Sequence, residues 1–417
     1  MKLNINDDIV IVNGAEADAI YDFNKKKLYR VNKDAGKFLD NIDDNNFNVS
    51  KISENDKEFI EACLDMGILT VDKKISEKKN IEKFIDTKII NEFCWLEITS
   101  FCNQKCIHCF MAEDLNKNYL PSEAIFKVIE GLKNLNIKTI ALSGGEPTLH
   151  PDFEKIVKFI NKNNINIVVL TNGLNINDKL ISLFRETNTV IRIPLLGLEK
   201  THDKITSVKN SYHTAMTNIK KLKEAKINIT ITSTIMSINI DEMDELRRLA
   251  TQLGLSFEVG PIFPIGNAKK NWNIIKPKNY QELLNTCNGC ELECLSNQNS
   301  KKNTSINIPN KINKYPECGV KNIAITTTGK YVPCLLLRDS IFNMGSILKD
   351  KIENLITNKN EKFKKVQEKL SYTNLKPCSK CEVRYVCKGG GCKAVNYLIN
   401  NELEYRNPYY LNCYYKR

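Results

Sequence analysis

The first part of the chain changes from alternating hydrophobic and polar residues to helical spacing and back. Strand-like runs lie at residues 8–12, 19–23, 27–31 and 68–71. Asn32 and Ser53 are placed to cap two amphipathic helices between these runs, and Gly67 is placed to end the second helix. Residues 1–90 are therefore predicted to form a small α+β domain, with a Lys- and Glu-rich linker at 73–83.

Between residues 92 and 260 the pattern alternates strand with helix. The predicted strands are residues 93–99, 139–143, 165–171, 190–195, 227–232 and 256–259. The predicted helices between them begin near Pro121, Asp152, Asn177, Ser211 and Asp241. Repeated βα units imply a parallel sheet with right-handed crossovers, which is expected to curve into a partial (β/α)6 barrel. In such barrels, chemistry collects on the loops at the carboxyl ends of the strands.

The chain of 417 residues contains 15 cysteines, and this number changes the picture. No apolar run is visible at the amino terminus, and no stretch approaches the ~20 apolar residues that a membrane-spanning helix needs. We therefore expect a cytoplasmic protein without a membrane partner, in which many cysteines indicate metal binding rather than disulfides. The net charge of +12 is spread over helix-like segments as on solvated helix faces, so nucleic-acid binding has no specific support.

Three cysteines, Cys102, Cys106 and Cys109, follow the first strand of the predicted barrel in the order CNQKCIHC. Thiolates are soft ligands that suit the irons of a [4Fe-4S] cube. Three thiolates in one short loop can bind three of the four corners, and nothing nearby in the sequence supplies a fourth. This spacing predicts a cluster that keeps one iron free for chemistry.

A glycine-rich turn, Ser143-Gly144-Gly145-Glu146-Pro147, follows the second strand. It is therefore expected at the same edge of the barrel as the three cysteines. Glycine lets a backbone approach a ligand closely, although a strand-to-helix turn closed by proline is the structural alternative. Thr171 and Asn172 follow the third strand. On the fourth strand, Arg192 alternates with apolar residues and is predicted to face the barrel interior.

The CxxxCxxC order with the aromatic His108 before its last cysteine, followed by GGEP, resembles the radical S-adenosylmethionine (SAM) superfamily. The resemblance implies that SAM chelates the fourth iron and yields a 5'-deoxyadenosyl radical that abstracts hydrogen from a substrate. It also implies a set of SAM contacts: Gly144, Gly145, Glu146, Pro147, Thr171, Asn172 and, through the SAM carboxylate, Arg192. The fourth strand departs from the family pattern, because Pro194 and Leu196 stand where relatives often carry Ser and Asp.

The carboxy-terminal cysteines resemble those of the SPASM domain, which holds two auxiliary [4Fe-4S] clusters. The resemblance assigns Cys318, Cys334 and Cys392 to the first auxiliary cluster. It assigns Cys378, Cys381, Cys387 and Cys413 to the second, which brings the expected total to three clusters. A structural zinc ribbon on Cys378, Cys381, Cys387 and Cys392 is the alternative, because zinc also favours four thiolates at short spacing. A further group, Cys287, Cys290 and Cys294, either completes the first auxiliary cluster or leaves it with an open iron.

The order of short strands and helices in residues 1–90 resembles the PqqD-like domain of maturases that act on ribosomally made peptides. Such a domain binds a leader peptide as an added strand. The expected layout is a PqqD-like domain at 1–90, a radical SAM barrel at 91–270 and a SPASM domain at 271–417. The expected function is a peptide maturase that forms a thioether crosslink, with a flavodoxin or ferredoxin as reductant. The alternatives are a carbon–carbon crosslink, formylglycine formation in a sulfatase, or a non-catalytic zinc-binding peptide adaptor.

Overall fold

The computed structural model of the chain describes residues 2–43, 53–72, 79, 81–86, 92–112, 114–116, 118–277, 305–308, 312–313, 322–357, 359–376, 378–387 and 393–403. The strands are β1 (Lys2–Ile5), β2 (Ile9–Asn13), β3 (Asp18–Asp22), β4 (Lys27–Val31), β5 (Leu69–Asp72), β6 (Ile85–Asp86), β7 (Phe93–Thr99), β8 (Thr139–Gly144), β9 (Asn166–Leu170), β10 (Val190–Pro194), β11 (Ile229–Ile235), β12 (Ser256–Pro261), β13 (Ser305–Asn307), β14 (Ile312–Asn313), β15 (Asn322–Ile325), β16 (Lys330–Val332) and β17 (Gly345–Ser346).

The α-helices are α1 (Lys33–Asp43), α2 (Glu54–Asp65), α3 (Ser122–Asn134), α4 (Phe153–Lys162), α5 (Asp178–Glu186), α6 (Glu199–Thr206), α7 (Ser211–Glu224), α8 (Met243–Gln252), α9 (Asn267–Lys270), α10 (Trp272–Ile275), α11 (Ile352–Leu355), α12 (Glu361–Leu370), α13 (Arg384–Cys387) and α14 (Lys393–Asn400). No helix within the described residues is long and apolar enough to cross a lipid bilayer.

The central sheet has nine strands in the order β12-β11-β10-β9-β8-β7-β15-β16-β17. Strands β7 to β12 pair in parallel, each with the next along the chain, which confirms the six strands predicted for the barrel. Helices alternate with these strands, and their apolar stripes pack on the sheet in one large core. The carboxyl ends of the parallel strands therefore meet along one edge of the sheet, as expected.

Two features of the central region differ from the sequence prediction. Helix α6 lies between β10 and α7, where no helix is predicted, because its sequence EKTHDKIT is polar apart from one buried isoleucine, Ile205. The sheet also continues past β7 into the carboxy-terminal part of the chain. Strand β15 pairs in parallel with β7, and β16 and β17 extend the sheet by antiparallel pairing.

The amino-terminal unit contains the predicted strands and helices. Ser53 caps α2 in a reciprocal capping box with Asp56, and the Asn32 side chain accepts a hydrogen bond from the Ala35 amide. The last three residues of the predicted linker, 81–83, belong to a 3₁₀ turn at Ile81–Phe84. Its apolar residues, Ile81 and Phe84, are partly buried against the amino-terminal apolar cluster, and Phe84 stacks on Phe23 with ring centroids 3.9 Å apart.

The amino-terminal sheet docks onto the carboxy-terminal cysteine region. The Tyr21 hydroxyl donates to the Glu382 carbonyl at 3.0 Å, and the Arg30 guanidinium pairs with the Glu382 carboxylate at 2.6 Å. The Ala15 amide donates to the Lys380 carbonyl at 2.8 Å. Cys381 lies between these two contact residues and belongs to the same apolar cluster as several residues of β2 and β3.

Candidate active site

The cysteine loop, residues 101–110, leaves the carboxyl end of β7 and carries Cys102, Cys106 and Cys109, all half-buried. Burial raises the pKa of the Cys102 thiol to about 11 and also raises the pKa of the Cys106 and Cys109 thiols. The charge of the Cys109 thiolate adds to the rise at the other two thiols. Such thiols stay protonated unless a metal replaces the proton, as in a cluster ligand set.

The chemistry of these thiols suits an iron-sulfur cube, in which each thiolate binds a different iron. Among the described residues, no three His, Cys, Asp or Glu side chains converge as the ligands of one metal ion do. The three cysteines provide soft sulfur ligands on one loop, as the predicted [4Fe-4S] cluster requires.

The glycine-rich turn after β8 is hydrogen-bonded to the cysteine loop through its backbone. The Gly145 amide donates to the Thr99 carbonyl at 2.8 Å, and the Glu146 amide donates to the Phe101 carbonyl at 2.7 Å. Gly144 has a φ of 135°, and a Cβ there would overlap the Thr99 carbonyl oxygen. Only glycine permits this close approach, so the two predicted motifs form one structural unit.

Glu146 links this turn to the next strand. Its buried carboxylate accepts hydrogen bonds from the Thr148 amide (3.1 Å) and hydroxyl (2.7 Å), the Thr171 hydroxyl (2.8 Å) and the Asn172 amide (2.7 Å). Burial raises its pKa, while these hydrogen bonds lower it. The structure thus brings Glu146, Thr171 and Asn172 together, but the carboxylate binds protein groups and fixes the turns after β8 and β9.

Asn172 connects that unit back to the cysteine loop, because its side-chain amide donates to the Asn103 side-chain oxygen at 2.6 Å. Pro147 is buried and begins a short 3₁₀ turn that leads into α4. Three successive strand ends, those of β7, β8 and β9, are therefore joined by hydrogen bonds around the cysteines.

Arg192 lies on the face of β10 opposite Ile191 and Ile193, which are buried in the main core. Its side chain therefore faces the barrel interior, as predicted. There it forms an ion pair with Glu258 of β12. Burial lowers the pKa of Arg192.

His108 is the aromatic residue of the cysteine loop, and it is half-buried. Burial, with a smaller contribution from His202, lowers the pKa of His108 to about 4, so the ring is neutral. Its Nδ1 atom is buried and has no hydrogen-bond partner within the described part of the chain. An unpaired polar atom at this position fits a loop that contacts a bound cofactor.

Sequence reasoning missed a support beneath the cysteine loop, formed by the segment after β12. The Asn267 side-chain amide donates to the Cys106 carbonyl at 3.0 Å, and the Asn271 amide donates to the Ile107 carbonyl at 2.9 Å. The Asn267 backbone amide donates to the Cys109 carbonyl at 2.9 Å. The four-residue spacing of the two asparagines, which places them on one helix face, is the signal that could have identified them.

Sequence reasoning also missed the pair Glu97 and Arg338. Glu97 is fully buried near the carboxyl end of β7, and one nitrogen of the Arg338 guanidinium donates to both of its oxygens at 2.8 Å. The available signal was an acidic residue inside the apolar strand FCWLEIT, because a buried carboxylate requires a charged or hydrogen-bonding partner.

The auxiliary-cluster cysteines are only partly described. Cys334 is half-buried in the turn after β16. Cys378 begins a 3₁₀ turn, and the amide of the buried Cys381 donates to the Cys378 carbonyl at 3.0 Å. Cys387 ends α13, and its side chain lies outside the description. Several predicted ligands and the surplus cysteines lie outside the described residues, namely Cys318, Cys392, Cys413, Cys287, Cys290 and Cys294.

Comparison with known families identifies the class of protein that this fold and site define. The family model of the radical SAM superfamily matches residues 96–250, and that of the SPASM iron-sulfur cluster-binding domain matches residues 317–382. The chain therefore contains a radical SAM domain and a SPASM domain. A purely structural zinc ribbon in the SPASM region loses its support.

Two maturation proteins are among the relatives of this chain. It is 30% identical to the sporulation killing factor maturation protein SkfB of Bacillus subtilis over 44% of this chain and 45% of that protein. It is 22% identical to the mycofactocin maturase MftC of Mycolicibacterium smegmatis over 75% of this chain and 80% of that protein. The match to SkfB thus spans less than half of that relative.

The crystal structure of SuiB from Streptococcus suis is similar over almost the whole length of both proteins. The match has a TM-score of 0.62 at 15% sequence identity and covers 97% of this chain and 99% of SuiB. At this identity the similarity shows a shared fold.

The contact between the glycine-rich turn and the cysteine loop generates a test. A Cβ at Gly145 would overlap the Phe101 carbonyl oxygen, whereas the space around Gly260 is open within 4 Å. Gly145→Ala should therefore separate the two motifs, weaken SAM binding at least tenfold and release about four of the bound irons. Gly260→Ala is the matched control and should retain both properties. Equilibrium dialysis with labelled SAM and iron analysis measure the outcome, and equal SAM affinity of the two variants would contradict the structural unit.

Proposed function

We propose that this enzyme modifies a ribosomally made precursor peptide and forms a thioether between a cysteine sulfur and a carbon atom of that peptide. The observation that carries the proposal is a radical SAM domain joined to a SPASM domain in a chain whose relatives include maturation proteins. SkfB and MftC are named for maturation, and one SuiB structure is described as bound to the precursor peptide SuiA.

Cys102, Cys106 and Cys109 would hold three irons of a [4Fe-4S] cube, and SAM would occupy the fourth. When bound, these groups supply the radical chemistry that removes hydrogen from an unactivated C–H bond. The chain positions SAM through the backbone of the turn at Gly144 and Gly145. The fixed turn at Thr171 and Asn172 adds a second wall, and the neutral His108 offers an unpaired ring nitrogen.

The barrel interior supports binding of a polar substrate. Arg192 pairs in register with Thr230, and Glu258 pairs with Thr232, so these four residues share the face opposite the main core. Charged and hydroxyl side chains on this face can bind the amide groups of an extended peptide. Arg192 can also bind the SAM carboxylate if it exchanges Glu258 for that ligand.

Formation of a thioether removes one hydrogen from the carbon and one from the thiol. The two auxiliary clusters proposed for the SPASM domain would accept the electron that is released as the bond forms. A carbon–carbon crosslink or formylglycine formation uses the same hydrogen abstraction, and these are the alternatives within this enzyme class. The radical SAM domain argues against the remaining alternative, a non-catalytic zinc-binding adaptor.

We also propose that the amino-terminal unit, as a PqqD-like domain, binds the leader of the precursor by strand addition. Its sheet has the order β13-β4-β3-β2, and β13 (Ser305–Asn307) is an antiparallel strand from a distant part of the chain. The edge of β4 thus accepts an added strand. A leader would replace the three residue pairs that β13 makes there.

The segment that holds β13 in place gives a test of leader binding. Ile308 follows β13, is 4% exposed in the apolar cluster, and donates its amide to the Lys26 carbonyl at 2.8 Å. Ile308→Asp should release β13 and increase the affinity of the enzyme for the leader of a peptide encoded beside its gene several-fold. Ile274, which is 61% exposed, provides the control Ile274→Asp. Fluorescence anisotropy with labelled leader measures the change, and weaker binding by Ile308→Asp alone would refute displacement of β13.

Iron content tests the cluster assignment. Protein reconstituted without oxygen should bind about twelve irons per chain, because three cubes of four are proposed. The variant Cys102→Ala, Cys106→Ala, Cys109→Ala should keep about eight and lose all SAM cleavage. Cys63→Ala, which changes an isolated buried cysteine, should keep about twelve. A triple variant that still cleaves SAM would overturn the site.

The thioether itself is tested by mass spectrometry of a cysteine-containing precursor, which should lose two hydrogen atoms and one free thiol. Cys334→Ala should abolish this change but retain SAM cleavage, because Cys334 lies in the SPASM domain and outside the cysteine loop. If the first auxiliary cluster has an open iron, single alanine variants of Cys287, Cys290 and Cys294 should leave crosslinking nearly intact. A product whose cysteine thiol remains reactive would favour the carbon–carbon alternative.

A further inference from the structure

Arg338 connects the turn after β16 to the cysteine loop of the barrel. It lies four residues after Cys334, and the Leu337 amide donates to the Cys334 carbonyl at 3.0 Å within the same turn. Its guanidinium reaches across to β7 and lies over the Phe110 ring, 5.4 Å from the ring centroid. One side chain therefore joins the turn of a proposed auxiliary-cluster ligand to the end of the loop that carries Cys109.

The guanidinium is held at this position by two carboxylates. Its Nη2 donates to both oxygens of Glu97 at 2.8 Å, and its Nη1 lies 3.5 Å from Asp114. Glu97 also accepts from the Thr327 amide at 3.3 Å. Burial raises the pKa of Glu97 and the nearby Arg338 lowers it. A buried carboxylate without this cation would be strongly unfavourable.

These contacts do not use every N–H donor of the guanidinium. Its Nε atom is buried and lacks a hydrogen-bond partner among the residues described. The Arg338 side chain is 14% exposed, so water screens its charge weakly. The unpaired donor and the positive charge therefore belong to a guanidinium that lies over Phe110, the residue that follows Cys109.

We propose that Arg338 is a positioning residue of the SAM-binding cluster, which anchors the Phe110 end of the cysteine loop and whose positive charge favours the reduced cluster. Reduction adds negative charge to a cluster, so a weakly screened cation nearby raises the reduction potential. The inference rests on the three cysteines as cluster ligands and is independent of the peptide substrate. Loss of peptide modification alone would therefore leave it standing.

The test compares variants that differ only in the guanidinium. Removal of Arg338 alone would leave Glu97 buried and unpaired, so the two Arg338 variants and their reference all carry Glu97→Gln. Reconstituted full-length enzyme is titrated with reductant, and the SAM-dependent EPR signal of the cluster reports its potential. The cluster of the Glu97→Gln variant should have a higher reduction potential than that of Glu97→Gln/Arg338→Met. The potential of Glu97→Gln/Arg338→Lys should lie closer to that of Glu97→Gln. Arg247→Met is a matched control, because Arg247 also lies over an aromatic ring, that of Phe257.

Iron content and the SAM-dependent line shape are recorded for every variant, so that cluster loss is separated from a change in potential. The proposal requires equal iron content and a lower potential when the guanidinium is lost. Equal potentials for Glu97→Gln and Glu97→Gln/Arg338→Met, or a shift of the same size in Arg247→Met, would overturn it. Failure of the lysine variant to restore the potential would also count against a role of charge.

Discussion

Strand β7 has parallel neighbours on both sides, and the arrangement of the active site depends on this pairing. Residues Phe93 to Leu96 pair with β8 on one side and with β15 on the other. The carboxyl end of β7 therefore lies inside the sheet, where the barrel and the carboxy-terminal region meet. A loop that begins there can be contacted from both regions, and the cysteine loop is held by Gly145 on one side and Arg338 on the other.

Buried carboxylates organise the two flanks of this loop. Glu146 fixes the turns that face the proposed SAM site, and Glu97 holds the guanidinium of Arg338, which comes from the SPASM region. Both are completely buried, and burial raises the pKa of each. Their hydrogen bonds and the Arg338 charge compensate for this cost. Each of these two buried acids thus orders a segment next to the cysteine loop, the turns after β8 and β9 for Glu146 and the Arg338 side chain for Glu97.

Local sequence predicted the elements and the motifs well, because both depend on short-range patterns. The six barrel strands follow from their periodicity, and the cysteine loop meets the GGEP turn because both follow adjacent parallel strands. The missed features depend on partners far apart in sequence. Arg338 and Glu97 are 241 positions apart, and Asn267 is 161 positions from Cys106. Periodicity does not reveal which distant residue satisfies a buried acid or a loop carbonyl.

The docking of the amino-terminal sheet onto Glu382 and Lys380 has a consequence for modular engineering of this enzyme. Exchange of this sheet would be a route to a new peptide preference under the proposed role in leader binding, since the unit is short. Here the unit also forms one wall around Cys381 through Tyr21 and Arg30. A transplanted sheet that lacks a hydroxyl and a cation at these two positions would leave the region around Cys381 without these contacts to Glu382. Compatibility between donor and host therefore has to be judged at the Glu382 contact as well as at the proposed peptide-binding edge.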